Sequence, residues 1–233
     1  MDKQTIRERV WDALEASGEA RFPFPPHGRI PNFAGAREAA ERLAATDAWE
    51  RADVVKANPD APQLPVRRRA LREGKTVYMA VPRLRDERPF MELDPDTIPA
   101  DELDSAPTVS SAASYARQVG LAEMPAVDLV VSGSVAVTED GARVGKGEGY
   151  SDLEYALLRE RGLLSAATPV ATTVHEPQVV DDAPVSPHDV PMDLVVTPGR
   201  VVETETPHER PAGVDRAALT EAQLAEIPVL SER

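Results

Sequence analysis

The chain has 233 residues, 42% of them hydrophobic and none of them cysteine, which is enough for one substantial core and excludes disulfides, thiolate metal sites and cysteine nucleophiles. Forty acidic residues against 26 basic ones give a formal charge of −14, which excludes broad, non-specific nucleic-acid binding, because phosphate neutralisation needs an excess of cations on the binding face. No apolar run approaches the roughly 18 residues of a membrane span, and the charged opening "MDKQTIRERVWDALEAS" lacks the apolar block and cleavage site of a secretion signal. A single-domain, cytoplasmic monomer is expected. Only Lys3, Lys56, Lys75 and Lys146 are lysines, and an acidic, lysine-poor surface suits a halophilic protein working in high salt.

Along the chain, Ile6, Val10, Ala13 and Leu14 recur at helical spacing over residues 2–16, with Asp2 placed to cap the start and Gly18 to end it. The four prolines of "FPFPPHGRIPNF" (22–33) forbid a helix and predict an ordered connection. Helix is predicted again over "AGAREAAERLAA", a short strand over "DVVKANPD", a helix over "PVRRRALREG" and a strand over "KTVYMAVP". "SSAASYARQVG" has a weak helical pattern, and "VDLVVSGSVAV" reads as a buried strand or strand pair. "DLEYALLRERG" reads as a helix with Leu153, Ala156, Leu157 and Leu158 inward. "PVATTV" and "MDLVVT" complete the strands. A polar connector over about 203–214 and a C-terminal helix over about 216–226 follow. Strand-then-helix alternation predicts an open α/β layer with a mostly parallel sheet flanked by helices, whose ligand site lies at the carboxyl ends of the strands.

The most informative segment is "GARVGKGEGYSD" (141–152), which lies between a predicted strand and a predicted helix. Loop amides and the first amides of a helix are unpaired donors at the positive end of the dipole. Gly145, Gly147 and Gly149 carry no side chain that would keep a phosphate away, and Arg143 and Lys146 supply charge. A phosphate ester is therefore the expected ligand. The spacing is that of neither a P-loop nor GxGxxG. The competing structural reading is a glycine-rich hairpin within "VAVTEDGARVG". Asp152, at the helix start, is either a cap or a Mg²⁺ ligand. His175 and His188 lack zinc-like spacing, and Asp189 in "PVSPHDVPMD" (184–193) gains interest only in combination.

Together these pieces resemble the 5-formyltetrahydrofolate cyclo-ligase family, also called methenyltetrahydrofolate synthetases. The resemblance lies in Lys3-x-x-Ile6-Arg7, in "DLVV" followed by "GARVGKGEGYSD", and in "PVSPHDVPMD". "RIPNF", "PRLR" and "GKGEGY" give it particular likeness to the family's synthetase domain-containing branch. The resemblance implies an open α/β fold and an ATP- and Mg²⁺-dependent ligase. In that reaction the 5-formyl oxygen of the folate is phosphorylated, N10 attacks the activated carbon, and 5,10-methenyltetrahydrofolate forms as phosphate leaves. By matching position it implies that Lys3, Arg7, Arg143, Gly145, Lys146, Gly147, Glu148, Gly149, Tyr150 and Ser151 bind ATP. Arg143 and Lys146 are the implied catalytic cations, Asp152 and Asp189 the implied metal ligands, and Lys56, Gly147, Gly149 and Tyr150 the implied folate contacts.

The sequence departs from the family pattern in several places. Ser151 stands where the family has a second tyrosine and Ser132 where it has a proline, "GLAEMP" is off by a residue from a family motif, and "VVKANPDAPQ" presents Lys56 and Asn58 near residue 56, where an acidic residue is expected. The alternative function is a non-catalytic nucleotide-binding regulator, binding RNA through the arginines of "VRRRALR" and "PRLRDER". Against it, those charges read more simply as solvated and paired with Glu73, Asp86 and Glu87, and with 4% aromatic residues the chain has little to stack on exposed bases.

Overall fold

The computed structural model describes residues 1–231. Asp2 accepts hydrogen bonds from the Gln4 and Thr5 amides and starts α1 (Lys3–Ala16) as expected. Its buried stripe is Ile6, Val10, Trp11 and Leu14; Ala13 is exposed, and Trp11 takes the inward place by donating its indole N–H to the Arg29 carbonyl. The proline segment runs between the paired strands β1 (Ala20–Arg21) and β2 (Asn32–Phe33). Then come α2 (Ala36–Ala44), the short α3 (Asp47–Glu50), β3 (Val54–Ala57), α4 (Leu64–Arg72), β4 (Thr76–Ala80) and β5 (Phe90–Leu93). "SSAASYARQVG" is helical only over α5 (Ala112–Tyr115); its second half is β6 (Arg117–Val119), pairing antiparallel with β5, so sheet pairing overrides a weak helical pattern.

The segment from 129 is a strand, then a hairpin, then a helix: β7 (Leu129–Val131), β8 (Ala136–Val137), β9 (Arg143–Val144) and α6 (Tyr150–Glu160). β8 and β9 pair as an antiparallel hairpin, so the hairpin reading and the glycine-loop reading both hold: the turn is at 139–141 and the loop follows it. β10 (Val170–Thr173), β11 (Leu194–Val196) and β12 (Val201–Glu203) follow. The C-terminal helix is shorter than expected, α7 (Glu221–Glu226), and has no buried residue; the buried Ile227, Val229 and Leu230 anchor the tail instead.

Eight strands form the central sheet in the order β12-β11-β10-β7-β3-β4-β5-β6. The five middle strands are parallel, and β12, β5 and β6 add antiparallel edges. Side chains alternate across it with period two. Val55, Ala57, Val77, Met79, Leu129, Val131 and Val196 pack on the side of α2 and α4. Tyr78, Ala80, Val130 and Val195 pack on the opposite side with Leu153, Leu157 and Leu158 of α6. A third cluster seats α1 on the β8–β9 hairpin through Ile6, Val10, Leu14, Val135, Ala136 and Val144. The order in which strands are added reverses between β3 and β7. The carboxyl ends of those two strands therefore form the crevice where such sheets bind ligands.

Candidate functional site

A cavity of about 1060 Å³ opens at that crevice. All the residues expected at the phosphate end line it: Lys3, Arg7, Arg143, Gly145, Lys146, Gly147, Glu148, Gly149, Tyr150, Ser151, Asp152 and Asp189. α1 brings Lys3 and Arg7 there because they are one helical turn apart on the same face and the helix is clamped to the hairpin below. Arg7 Nε donates to the Gly145 carbonyl at 2.7 Å, and its guanidinium packs under Gly147, where a Cβ would lie 3.3 Å from Cζ. Gly147 also has φ 107°, a conformation side chains rarely adopt. Burial, and then the nearby Arg143, lower the Arg7 pKa from its ordinary value.

Residues 146–149 are exposed, and among the described residues the main-chain amides of Lys146 to Asp152 donate to no protein acceptor. They end at the amino terminus of α6, where the helix dipole is positive. Lys146 pairs with Glu148 at 2.8 Å.

Both expected carboxylates line this cavity. Asp152 does not cap its own helix; its oxygens accept from Arg143 Nη1 at 3.0 and 3.2 Å, and Oδ1 also from the Val190 amide at 3.1 Å. Asp189, adjacent to Val190, holds Lys3 Nζ and the Ser186 amide through Oδ2 at 2.5 and 2.6 Å. Among the described residues its Oδ1 accepts no hydrogen bond, with His188 Nε2 4.0 Å away. Arg143 is buried, and its Nε and Nη2 donate to the Gly133 carbonyl, so it ties Asp152 to the end of β7. Among the described residues no group of three or more His, Asp or Glu side chains could hold a metal ion, so a metal here rests on these two carboxylates. His188 lines the cavity; His175 lies elsewhere, beside Phe33 and Glu19.

The family model described as 5-formyltetrahydrofolate cyclo-ligase family matches residues 1–198. The chain belongs to that family. It is 43% identical over 232 residues to a bovine methenyltetrahydrofolate synthase domain-containing protein and 40% identical over 232 residues to the human protein of that name. Each match covers 99% of this chain and 61% of the relative, so the chain spans about three-fifths of their length. The NMR structure of Aquifex aeolicus 5,10-methenyltetrahydrofolate synthetase superimposes with a TM-score of 0.56 at 16% identity, covering 90% of this chain and 96% of that one, and so shares the α/β fold.

Four of the positions where this cyclo-ligase family member departs from the family pattern, Lys56, Asn58, Ser132 and Ser151, converge at one wall of the cavity. Period two along β3 turns Lys56 toward α6, where its ammonium is buried against the Glu154 carboxylate; Lys56 is not among the residues lining the cavity, whereas Glu154 is. Asn58 Nδ2 also reaches Glu154, at 3.4 Å, while Asn58 Oδ1 accepts from the Gly133 amide at 3.2 Å and from Ser151 Oγ at 3.1 Å. Ser151 Oγ lies 3.5 Å from Ser132 Oγ. One hydrogen-bonded network thus links Lys56, Asn58, Ser132, Ser151 and Glu154.

Asp60 is the acidic residue the sequence reading missed, displaced by four positions from Lys56. It lines the cavity, and among the described residues its side-chain oxygens accept no hydrogen bond. Burial pushes its carboxyl up from the usual 3.8, against the pull of Lys146, Arg67, Arg143 and Lys56. A Cβ on Gly133 would lie 3.0 Å from both Asp60 Oδ2 and Gln63 Oε1, and the latter is buried without a partner. Two acceptors therefore converge over Gly133, where only a bare backbone fits. Arg67 fixes this corner: fully buried, it donates to the carbonyls of Asn58, Pro59, Asp60 and Pro107, and burial lowers its pKa to about 10.

Most arginines of the two runs are engaged within the protein. Arg68 donates to the Asp104 carbonyl, Arg69 pairs with Glu73, Arg72 with Asp104, Arg85 with Glu226 and Arg88 with Glu123. Of the three expected acids, Glu73 forms an ion pair and Asp86 accepts the Arg88 amide, while among the described residues Glu87 pairs with none of these arginines. A second, more open depression of about 1160 Å³ lies at the amino ends of the strands and gathers carboxylates, including Asp128, Asp193 and Glu203. Among the described residues no helix is long and apolar enough to cross a membrane.

Proposed function

We propose that the chain catalyses ATP- and Mg²⁺-dependent closure of 5-formyltetrahydrofolate to 5,10-methenyltetrahydrofolate. The observation that carries this reading is a single cavity in which free main-chain amides and the cations Lys3, Arg7, Arg143 and Lys146 surround two carboxylates, beside a wall that ends in the unpartnered Asp60. Amides 146–152 with Lys3, Arg7 and Lys146 suit a triphosphate, and Gly147 lets it approach the backbone. Asp152 and Asp189 fit Mg²⁺, which usually binds through one or two carboxylates with water and phosphate completing its shell; the free Oδ1 of Asp189 is available for this. Bound MgATP would supply the phosphoryl group that makes the formyl oxygen a leaving group. The protein's own work is then positioning and charge neutralisation, which needs no nucleophilic side chain. Arg143 orients Asp152, and Asp60, which lines the cavity, presents an acceptor to the N–H-bearing edge of a pterin. Met79, Ala80, Val81 and Met91 keep water from one flank of the ring.

The purified protein with Mg²⁺-ATP and 5-formyltetrahydrofolate should generate the methenyl absorbance at one or more salt concentrations. A second reading, a non-catalytic nucleotide-binding protein, is favoured by the network from Lys56 to Ser151 that occupies the folate side. ATP binding without turnover at any salt concentration would select it. An RNA-associated role has less support, since most of the arginines it needs are already paired.

A further inference from the structure

Arg83 and Leu84, just beyond β4, are both non-glycine residues in the left-handed region, at φ 59° and 54°. That conformation costs free energy and persists only where surrounding structure enforces it. Leu84 supplies the enforcement, for it is fully buried in the apolar cluster that includes Leu153 and Leu157 of α6. The result is an exposed Arg83 side chain lining the cavity. The other cationic side chains that line it are all engaged: Lys3 with Asp189, Arg7 with Gln4 and Gly145, Arg67 with four carbonyls, Arg143 with Asp152 and Gly133, Lys146 with Glu148. Among the described residues Arg83 is the cavity cation with neither a hydrogen bond nor an ion pair. Its own segment contrasts with it, because Arg85 and Arg88 are paired with Glu226 and Glu123. In a chain with 40 acidic residues, a strained arginine left without an ion pair among the described residues points to an anion that comes with the ligand.

We propose that Arg83 is a specificity-determining residue that binds a carboxylate of the substrate. The proposal rests on the folate reading above, under which the partner is the glutamate carboxylate. The surroundings favour a carboxylate over a second phosphate, because the nearby cavity wall is apolar, formed by Met79, Val81, Met91 and Val109, and the run of free amides lies on the 146–152 loop. A planar guanidinium matches a carboxylate through two parallel hydrogen bonds, and the apolar wall suits the aromatic linker that joins a pterin to its glutamate.

The test uses the full chain and calorimetric binding of two probes, 5-formyltetrahydrofolate and 5-formyltetrahydropteroate, which lacks the glutamate. Arg83→Gly is the variant of choice, since glycine accepts φ 59° and removes strain, so that it should melt no lower than the parent. The parent should bind the glutamate-bearing probe roughly tenfold more tightly, the size of one charge-assisted contact, and this preference should shrink with added salt. In Arg83→Gly the preference should fall to within about twofold through weaker binding of the glutamate-bearing probe alone, and Arg83→Lys should restore part of it. A preference that survives in Arg83→Gly overturns the assignment of Arg83 and leaves the folate reading intact. If the parent binds neither probe, the folate reading fails and the proposal with it.

Discussion

At the glycine loop, the groups that would meet a ligand are the exposed main-chain amides of 146–149, flanked by Lys3 and Arg7 of α1, and little of the core depends on those amides. On the other side of the same cavity, Lys56, Asn58, Ser132, Ser151 and Glu154 satisfy one another at the junction of β3, β7 and α6. The first region can change its occupant at small cost to stability. The second is part of the fold, because a buried charge must keep its partner or lose several kcal/mol. Substrate-side divergence here is therefore collective, and Lys56 cannot be replaced without regard to Glu154. Asp60 is the exception on that side, a carboxylate that accepts no hydrogen bond among the described residues.

The largest effect should come from cutting the network. Lys56→Met or Glu154→Met alone should cost about 3–5 kcal/mol in urea denaturation, while the double variant should recover most of that loss, since apolar pairs often replace buried ion pairs at no net cost. If each single change were nearly silent, the two regions would not differ as described. Next in size, Asp152→Asn should weaken Mg²⁺-dependent ATP binding roughly tenfold or more, the loss expected of one charge-assisted ligand contact. The fold should be retained with a lowered melting temperature, because the buried Arg143 loses its charged partner, and an unchanged affinity would leave Asp152 only its role of tying α6 to Arg143 and Val190.

The smallest effect concerns Asp60 and carries a sign. Its folded pKa is raised above the unfolded value of 3.8, so the native state binds the proton longer and stability falls as pH rises from about 3.8 through the folded pKa. The penalty is fully present above that range and absent below it. Asp60→Asn should accordingly raise the thermal midpoint by a few degrees at neutral pH, lose that advantage near pH 3, and weaken folate binding. A variant that binds folate as the parent does would remove Asp60 from the site.

Much of this was written locally in the sequence. Asp2 caps α1 because a carboxylate before a helix satisfies its free amides, and the glycine loop is legible because spacing along one short segment sets its geometry. β5, β6 and β12 escaped notice because edge strands of three or four residues get their stability from a neighbour rather than from their own pattern. Asp60 escaped notice because what marks it is the absence of a partner, which no linear pattern records. The pairing of Lys56 with Glu154 is 98 residues apart in the chain, and parity along β3 only says which face Lys56 takes. By itself, then, the sequence determined the alternating α/β order, the glycine loop and the family, all properties of segments or of their succession. Only the tertiary structure decided that Asp152 and Asp189 line one cavity, that Lys56, Asn58, Ser132, Ser151 and Glu154 form one network, and that Arg83 has no partner among the described residues. Contacts between distant segments are chosen by burial and charge compensation in three dimensions, not by spacing along the chain.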